Sequence, residues 1–242
     1  MKNTFLQAFA LIALPFIAYT FSGCKEEVIR GKGNITTEGR TLQQFDKVII
    51  DVPADATIEL GKPHAVEVKA QSNLMEHIKT EVTGNTLRIY NEGLIFNSSD
   101  IDIVVQLPSI TMLQLKGAAD ARTIGDIKGT DFKLHVLGAS EVDIDELHVD
   151  NLEVKLSGAS ELHISKGSVG KAKYKVTGAG EIRADGLETK DVSARVSGAG
   201  EMSLYVTEKL DADVTGAGEI SYKGHPQITS DITGAGELID KN

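Results

Sequence analysis

The sequence predicts an all-β fold, a right-handed parallel β-helix whose coils span 18–21 residues each. Three observations predict this fold. A four-residue phrase returns at nearly constant intervals, the apolar residues on both sides of it keep their positions in successive copies, and apolar residues alternate with polar ones between copies. A period of two with glycine-rich corners is typical of half-buried strands, and the repeat region has no long stretch of helical period.

The phrase starts with glycine and ends with an acid, and it occurs seven times. Its copies are GAAD at Gly117, GASE at Gly138 and Gly158, and GAGE at Gly178, Gly198, Gly216 and Gly234. Successive copies are 21, 20, 20, 20, 18 and 18 residues apart, so they delimit six intervals. Because stacked strands lie about 4.8 Å apart, six steps predict a stack roughly 29 Å tall.

The flanks of the phrase repeat as well. Two positions before each glycine stands an aliphatic residue: Leu115, Val136, Leu156, Val176, Val196, Val214 and Ile232. From the second copy onward, the residue after the acid is apolar: Val142, Leu162, Ile182, Met202, Ile220 and Leu238. An antiparallel meander with one hairpin per repeat has the same period. Stacked coils explain the repeated flanks better, because in a stack every position lies beside its own copy.

Residues 46–110 precede the repeats and are predicted as irregular β coils that cap the stack. Their strand patterns, such as DKVIIDV and IDIVVQL, are separated by turn sequences such as TGN and NEG. The segment SNLMEHI, residues 72–78, is the one candidate helix. Residues 111–242 are predicted as the regular coils, so that residues 46–242 form one continuous domain.

The first 23 residues, with Lys2 followed by an apolar core, are typical of a secretory signal peptide. The tetrapeptide FSGC resembles a bacterial lipobox, and its cysteine, Cys24, is the only cysteine of the chain. We therefore expect Cys24 to be lipidated and residues 24–45 to form the lipid anchor and tether. Acylation by more than one chain provides stable attachment to a membrane.

Lys25, Glu26 and Glu27 follow the cysteine directly. A lysine followed by acids resembles the export signal that sends lipoproteins to the cell surface in the Bacteroidetes group. We therefore expect an outer-membrane lipoprotein on the cell surface, with a periplasm-facing anchor as the alternative.

The chain is acidic, with a formal net charge of −10. Nucleic acid is excluded as an expected partner, because phosphate contacts require clustered lysine and arginine. The sequence contains no serine elbow, phosphate-binding loop or zinc-binding motif, and its histidines show no close ligand spacing. We therefore predict no enzymatic activity, no cofactor and no metal site.

The acids of the phrase are predicted to stack into a column, with Asp120 followed by Glu141, Glu161, Glu181, Glu201, Glu219 and Glu237. Unit charges about 4.8 Å apart repel each other by roughly 1 kcal/mol in water. Two interpretations remain open. Each carboxylate accepts backbone N–H groups at the corner of its own or the next coil, or the six glutamates form a ridge that binds a cation or another ligand.

A second column stands three positions before the glycines. Its members are His135, Lys155, Lys175, Arg195, Asp213 and Asp231. Alternation turns these side chains outward, so the strip is basic at first and then acidic. It is either a solvated face or a docking strip for an acidic glycan or protein.

The lipoprotein leader, the opening GNITTEGRTLQQFDKVIIDVPADATIEL, the middle HIKTEVTGNTLRIYNEG and the serial SGAGE or TGAGE copies together resemble a known family. The chain is similar, over about residues 48–240, to the head domain called GIN of auto-transporter adhesins. This resemblance implies a right-handed parallel β-helix on an anchored envelope protein, and it brings no catalytic residues to carry over. GAAD at Gly117 departs from the family pattern.

These observations predict a non-enzymatic surface lipoprotein that serves as a scaffold for adhesion or binding. Its expected partners are a membrane, through the N-terminal lipid, and a glycan or protein on another surface. A structural envelope module that forms homo-oligomers is the first alternative. A polysaccharide-active β-helix enzyme is the second, although coils of this length leave little room for the long loops that build clefts.

Overall fold

The computed structural model describes residues 28–96 and 101–242. Of these residues, 75% lie in strands, and none of them forms a helix. The stacked parallel coils form a β-solenoid of about six turns, which confirms the predicted fold class. Cys24 and residues 25–27 lie outside the described part of the chain, as does the leader, so lipidation, export and the signal peptide stay predictions.

The described residues form nineteen strands. In chain order they are β1 Val28–Arg30, β2 Ile35–Arg40, β3 Lys47–Asp51, β4 Asp55–Leu60, β5 Ala65–Gln71, β6 Ile78–Thr83, β7 Thr86–Asn91, β8 Leu94–Phe96, β9 Asp102–Leu107, β10 Met112–Gly117, β11 Asp120–Ile124, β12 Asp126–Gly138, β13 Glu141–Gly158, β14 Glu161–Gly178, β15 Glu181–Gly198, β16 Glu201–Gly216, β17 Glu219–Lys223, β18 Gln227–Gly234 and β19 Glu237–Asp240. Strands β1 and β8 pair with each other, and the other seventeen form one continuous sheet.

The regular coils, β12 to β19, stack in sequence order. Each of β13, β14 and β15 is 18 residues long and runs from one copy of the phrase to the next. Equivalent residues pair in parallel register, so that identical positions form columns along the stack. One inward column is Val136, Leu156, Val176, Val196 and Val214, all of them buried. Stacked aliphatic side chains of this kind fill the core.

The first glycine of the phrase forms the corner of each regular coil. Gly158 has a φ of 111°, and a Cβ placed on it would lie 2.2 Å from the carbonyl oxygen of Gly138 in the neighbouring coil. Only glycine fits both the backbone angle and this close approach. The amide of Ala159 donates to the same oxygen at 3.0 Å, so the contact that excludes a side chain also joins the two coils.

The N-terminal levels, β2 to β9, do not stack in sequence order. Strand β3 pairs in parallel with both β7 and β10, and β4 pairs in parallel with both β9 and β11. After β4, the chain forms a level with β7 and β9 on one side of the level of β3 and β4. It then crosses to the opposite side of β3 and β4, where β10 and β11 begin the next level. Strands β5 and β6 pair antiparallel with β9 and β7, and β2 pairs antiparallel with β5, which covers this end of the solenoid.

The helix predicted for residues 72–78 is wrong. Residues 72–77 form consecutive turns, with the amide of Leu74 donating to Gln71 at 2.8 Å and that of Ile78 donating to Leu74 at 3.2 Å. Leu74 is buried in the core. The segment has to join two strands of the capping layer within six residues, which is too short for a helix to nucleate without strong packing.

Candidate functional site

The six glutamates of the phrase lie side by side along the solenoid. They are paired in register in successive coils: Glu141, Glu161, Glu181, Glu201, Glu219 and Glu237. The column continues into the N-terminal levels. The amide of Glu141 donates to Asp120 Oδ1 at 2.8 Å, Asp120 pairs with Asp55, and Asp55 pairs with Asp102. These nine acids, one per level, are called the acid column below.

Sequence reasoning missed Asp55 and Asp102, because no glycine precedes either residue at the position of the phrase. The signal that marks them is a buried apolar residue directly before the acid and another directly after it. Ala54 and Ala56 flank Asp55 in this way, and Ile101 and Ile103 flank Asp102. The acid is therefore more persistent along the stack than the glycine.

Backbone groups close the corners by bonding to one another. The amide of Glu161 donates to the carbonyl of Ser140 at 2.9 Å, and the same bond recurs at every later coil and at Asp55, whose amide donates to Ile101 at 2.9 Å. Among the described residues, Asp120 is the one member of the acid column whose carboxylate accepts a backbone amide. None of the six glutamate carboxylates accepts a backbone amide from the described residues, so these carboxylates do not close the corners.

One arginine bridges two members of the acid column. Arg183 Nε donates to Glu181 Oε1 at 2.5 Å, and its Nη2 donates to Glu181 Oε2 at 2.9 Å and to Glu161 Oε2 at 3.0 Å. The hydrogen bond from Arg183 lowers the pKa of Glu181, against a smaller opposing effect of burial. Within the described residues, Glu201, Glu219 and Glu237 have no such cation.

The acid column borders a groove of about 550 Å³ where the N-terminal levels meet the regular coils. Six acids line it: Asp55, Glu67, Asp102, Asp120, Glu141 and Asp143. Two cations face them. Lys69 forms an ion pair with Asp102 at 2.7 Å, and Arg122 Nε donates to Thr57 Oγ1 at 3.1 Å. The groove is therefore negatively charged overall, and it repels anionic ligands.

The second predicted column is also in register: His135, Lys155, Lys175, Arg195, Asp213 and Asp231. Lys171 and Lys173 project outward from β14 beside Lys175. The basic face is defined here as Lys155, Lys171, Lys173, Lys175 and Arg195, and all five side chains are exposed. It is a local concentration of positive charge on an acidic protein.

Several acids border the basic face, among them Asp191, which pairs in register with Lys171. Glu153 forms ion pairs with Lys155 and, at 3.2 Å, with His135, and the hydrogen bond from Lys155 lowers the pKa of the Glu153 carboxyl. Arg195 lies 3.5 Å from Asp213, the residue at which the column changes sign. The positive charge of this surface is therefore concentrated on the coils of β13, β14 and β15.

A third cluster was not predicted from the sequence. Asp126 on β12 and Glu146 and His148 on β13 bring their oxygen and nitrogen ligand atoms within 4.8 Å of one another. Asp126 and Glu146 are paired in register, so two coils contribute to the cluster. No short motif marks it, because stacking rather than sequence spacing brings its members together.

The comparisons with known proteins agree with this architecture. A family model described as "Putative auto-transporter adhesin, head GIN domain" matches residues 44–226, most of the chain. The chain belongs to this family. The resemblance seen in the sequence is thereby confirmed. A search of the curated proteins gives no significant match.

Solved structures share the fold of this GIN domain. A putative adhesin from Bacteroides fragilis is 23% identical with a TM-score of 0.83, and the match covers 88% of this chain and 99% of that one. A putative adhesin from Parabacteroides merdae is 20% identical with a TM-score of 0.72, covering 89% and 99%. A protein from Parabacteroides distasonis described as a putative lipid binding protein is 24% identical with a TM-score of 0.74, covering 89% and 100%. At these identities the likeness shows the fold.

None of the described residues belongs to a helix that is long and apolar enough to cross a membrane.

Proposed function

We propose that this GIN domain protein is an envelope-anchored lipoprotein, exposed at the cell surface, that serves as a non-enzymatic scaffold for adhesion. In this proposal Cys24 carries the lipid, and Lys25, Glu26 and Glu27 direct the protein to the outer face of the outer membrane. The adhesin description of the family supports the proposal, as do neighbours of the same fold that are described as adhesins.

The proposal that the protein is not an enzyme rests on the short connections between the regular coils. Two residues separate β13 from β14, and two separate β14 from β15. Enzyme sites are concave and bury most of their ligand, and loops commonly form their walls. These coils instead present sheet surfaces with ordered columns of charge, which suit contact with an extended partner.

Within this proposal, the basic face contacts the partner, and the partner is an acidic glycan. Protein interfaces depend on buried aromatic and apolar anchors. Tyr174 is the one Phe, Tyr or Trp residue of β13, β14 and β15, and it is buried. An exposed face of four lysines and one arginine therefore favours a polyanion held by charge and hydrogen bonds over a folded protein.

Surface labelling and protease accessibility on intact cells test the location. We expect the wild-type protein to be labelled and cleaved, and a variant with Lys25, Glu26 and Glu27 changed to alanine to become protected while remaining in the membrane fraction. Cys24→Ser should release the protein from that fraction. Unchanged accessibility of the triple alanine variant would contradict the proposed export signal, and membrane retention of Cys24→Ser would contradict the lipid anchor.

Glycan-array binding tests the adhesion surface. We expect the protein to bind acidic glycans, and the variant K171E/K173E/K175E to lose that binding. The matched control K32E/K62E/K241E makes the same change in net charge at exposed lysines away from the basic face and should bind normally. Binding should weaken as salt rises, because exposed charges are screened. Equal loss in both variants would show that net charge, and not the basic face, is responsible.

One observation favours the alternative of an oligomeric envelope module. On β18, the last strand to stack on β16, the exposed fractions of Ile228 and Ile232 are 44% and 40%. Exposed apolar residues at a strand edge can pair with another chain. Light scattering distinguishes the two functions. A stable oligomer that Ile228→Lys and Ile232→Lys dissociate would support the module, whereas a monomer that binds glycan supports the scaffold.

A further inference from the structure

The cluster of Asp126, Glu146 and His148 stands apart from both the acid column and the basic face. Glu146 pairs in register with Asp126 of the preceding coil, and His148 follows two positions later on the same outward face of β13. All three residues are half-buried. Three potential ligands are therefore held on rigid strands rather than on loops, which fixes their separation.

The separation suits one small cation. His148 Nε2 and Glu146 Oε1 are 3.1 Å apart, and all three ligand atoms lie within 4.8 Å of one another. Ligands about 2.0–2.1 Å from a tetrahedral zinc ion are about 3.3–3.4 Å from each other. An ion bound by His148 and Glu146 therefore requires a shift of a few tenths of an ångström between those two side chains, and a shift of up to about 1.4 Å at Asp126.

Two lysines lie close to the cluster, and each contacts one of its carboxylates. Lys128 contacts Asp126 Oδ2 at 2.5 Å, and Lys166 contacts Glu146 Oε2 at 2.9 Å. Asp126 Oδ1 is buried and has no hydrogen-bond partner. A buried carboxylate oxygen without a partner is unfavourable unless a proton donor or cation reaches it. This orphaned oxygen is an observation independent of the clustering itself.

A contact at Nδ1, the ring nitrogen that does not face Glu146, also orients the His148 imidazole. His148 Nδ1 lies 2.9 Å from Ser168 Oγ on the next coil. When Nε2 of a histidine binds a metal, the Nδ1–H group characteristically donates to an oxygen, which fixes the tautomer and the ring. Ser168 occupies the position that this contact requires.

We propose that Asp126, Glu146 and His148 form a binding site for a divalent transition metal ion, for which Zn²⁺ is the best fit. A nitrogen ligand together with carboxylates favours zinc over calcium or magnesium, which prefer oxygen ligands alone. Three protein ligands leave one tetrahedral position, which water or a donor from outside the protein fills. The two lysines offset the carboxylate charge, so the ion is held more weakly than in a closed four-ligand site.

Titration of the full chain in detergent, purified without a polyhistidine tag, tests the site. Co²⁺ absorption reports the coordination geometry, and competition with a chelating dye gives the Zn²⁺ affinity. We expect one ion per chain with a tetrahedral Co²⁺ spectrum. His148→Gln and Asp126→Ala should abolish this spectrum, and Ser168→Ala should weaken Zn²⁺ binding by about 10-fold or more. Lys128→Met with Lys166→Met should strengthen it, because two positive charges are removed.

His163→Gln is the matched control, since His163 lies one coil further along, outside the cluster, and should leave binding unchanged. The melting temperature without metal verifies that each variant is folded. Absence of stoichiometric binding would overturn the proposal. So would binding that survives His148→Gln, since it would place the ion on other ligands, and an octahedral Co²⁺ spectrum would contradict the tetrahedral zinc geometry.

Discussion

The regular coils and the N-terminal levels form the corner before the acid column with different residues. In the regular coils, a glycine with positive φ makes the turn, and the next coil in the sequence is the next coil in space. In the N-terminal levels, Ala54 and Ile101 stand directly before the acid, no glycine stands two positions before them, and β7 and β9 form the level that lies beyond β3 and β4. The corner hydrogen bond and the acid persist in both regions. The glycine is therefore a feature of coils that stack in sequence order, whereas the acid column does not depend on the glycine.

The two regions also differ in how contacts relate to the chain. Strand β3 is enclosed by β7 on one side and by β10 on the other, so its burial requires segments about 40 and about 65 residues away. A regular coil contacts coils about 20 residues away. Contacts between distant residues are slower to form, because the intervening loop must close first. We therefore expect the regular coils to form before the N-terminal levels.

The largest expected effect separates the two kinds of glycine. Gly158→Ala would place a Cβ 2.2 Å from the carbonyl oxygen of Gly138, whereas a Cβ on Gly84, in the hairpin between β6 and β7, meets nothing within 4 Å. Both residues have positive φ. We expect Gly158→Ala to lower the free energy of unfolding by about 3–5 kcal/mol, because the coils must move apart, and Gly84→Ala by about 1 kcal/mol.

Urea unfolding followed by circular dichroism measures both values. A similar small loss for the two variants would show that the regular corners tolerate side chains, and the distinction between the regions would fail.

The second prediction compares an inner level with an end level. Ile50 on β3 is fully buried between Ile89 and Leu115, whereas 40% of Ile232 on β18 is exposed. We expect Ile50→Ala to lower the free energy of unfolding by about 2–4 kcal/mol, because it leaves a cavity, and Ile232→Ala by less than about 1 kcal/mol. Hydrogen exchange should show that Ile50→Ala loosens β7 and β10 together. Loosening of β3 alone would contradict the insertion of this strand between them.

The fold class was predictable because the phrase occurs seven times, with apolar residues at the same positions beside its copies. The register of Glu141 with Glu161 follows from that periodicity alone. The order of the N-terminal levels was not predictable, since alternation identifies β3 as a strand but does not say which strands lie beside it. The turns at residues 72–77 were mistaken for a helix for a related reason. The backbone conformation there depends on the packing of Leu74 in the core, which the local sequence does not specify.

The candidate site was predictable in part. The six glutamates were named because they end a phrase that begins with glycine, and Asp55 and Asp102 were missed because they do not. The bridge by Arg183 depends on side-chain direction, which the sequence does not carry. The cluster around His148 depends on stacking of two coils and on a ring orientation, so no spacing within one coil identifies it.

The third prediction separates two members of the acid column. Asp120 at the boundary of the regions accepts the amide of Glu141 at 2.8 Å, whereas the carboxylate of Glu201 accepts no hydrogen bond from the described residues. We expect Asp120→Ala to lower the free energy of unfolding by about 1 kcal/mol. Glu201→Gln should leave it unchanged or raise it by a few tenths of a kcal/mol, roughly, because charge repulsion in the column falls. Thermal melts in low and high salt measure both.

A substantial loss of stability in Glu201→Gln would mean that the carboxylates close the corners after all. The acid column would then be part of the coil geometry in the regular region, as Asp120 is at the boundary, and would no longer be a free surface.

The smallest expected effect concerns the one bridged pair of the column. Arg183 lowers the pKa of Glu181, so the ionised carboxylate is favoured in the folded protein, and the corresponding stability is present above the unfolded pKa of about 4.3. This stability is lost as pH falls through the lower, folded pKa. The Glu181 and Arg183 side chains are 35% and 45% exposed, so solvent screening limits the contribution to under about 0.5 kcal/mol.

NMR titration of the glutamate carboxyl groups measures this effect directly. Arg183→Met should raise the pKa of Glu181, reduce the difference in stability between neutral and acidic pH, and leave the titration of Glu237, three levels of the column away, unchanged. A shift of Glu237 as well would show that the nine stacked acids titrate as one coupled system. The column would then extend the electrostatic influence of a single cation beyond its own coil, and the boundary between bridged and unbridged acids would disappear.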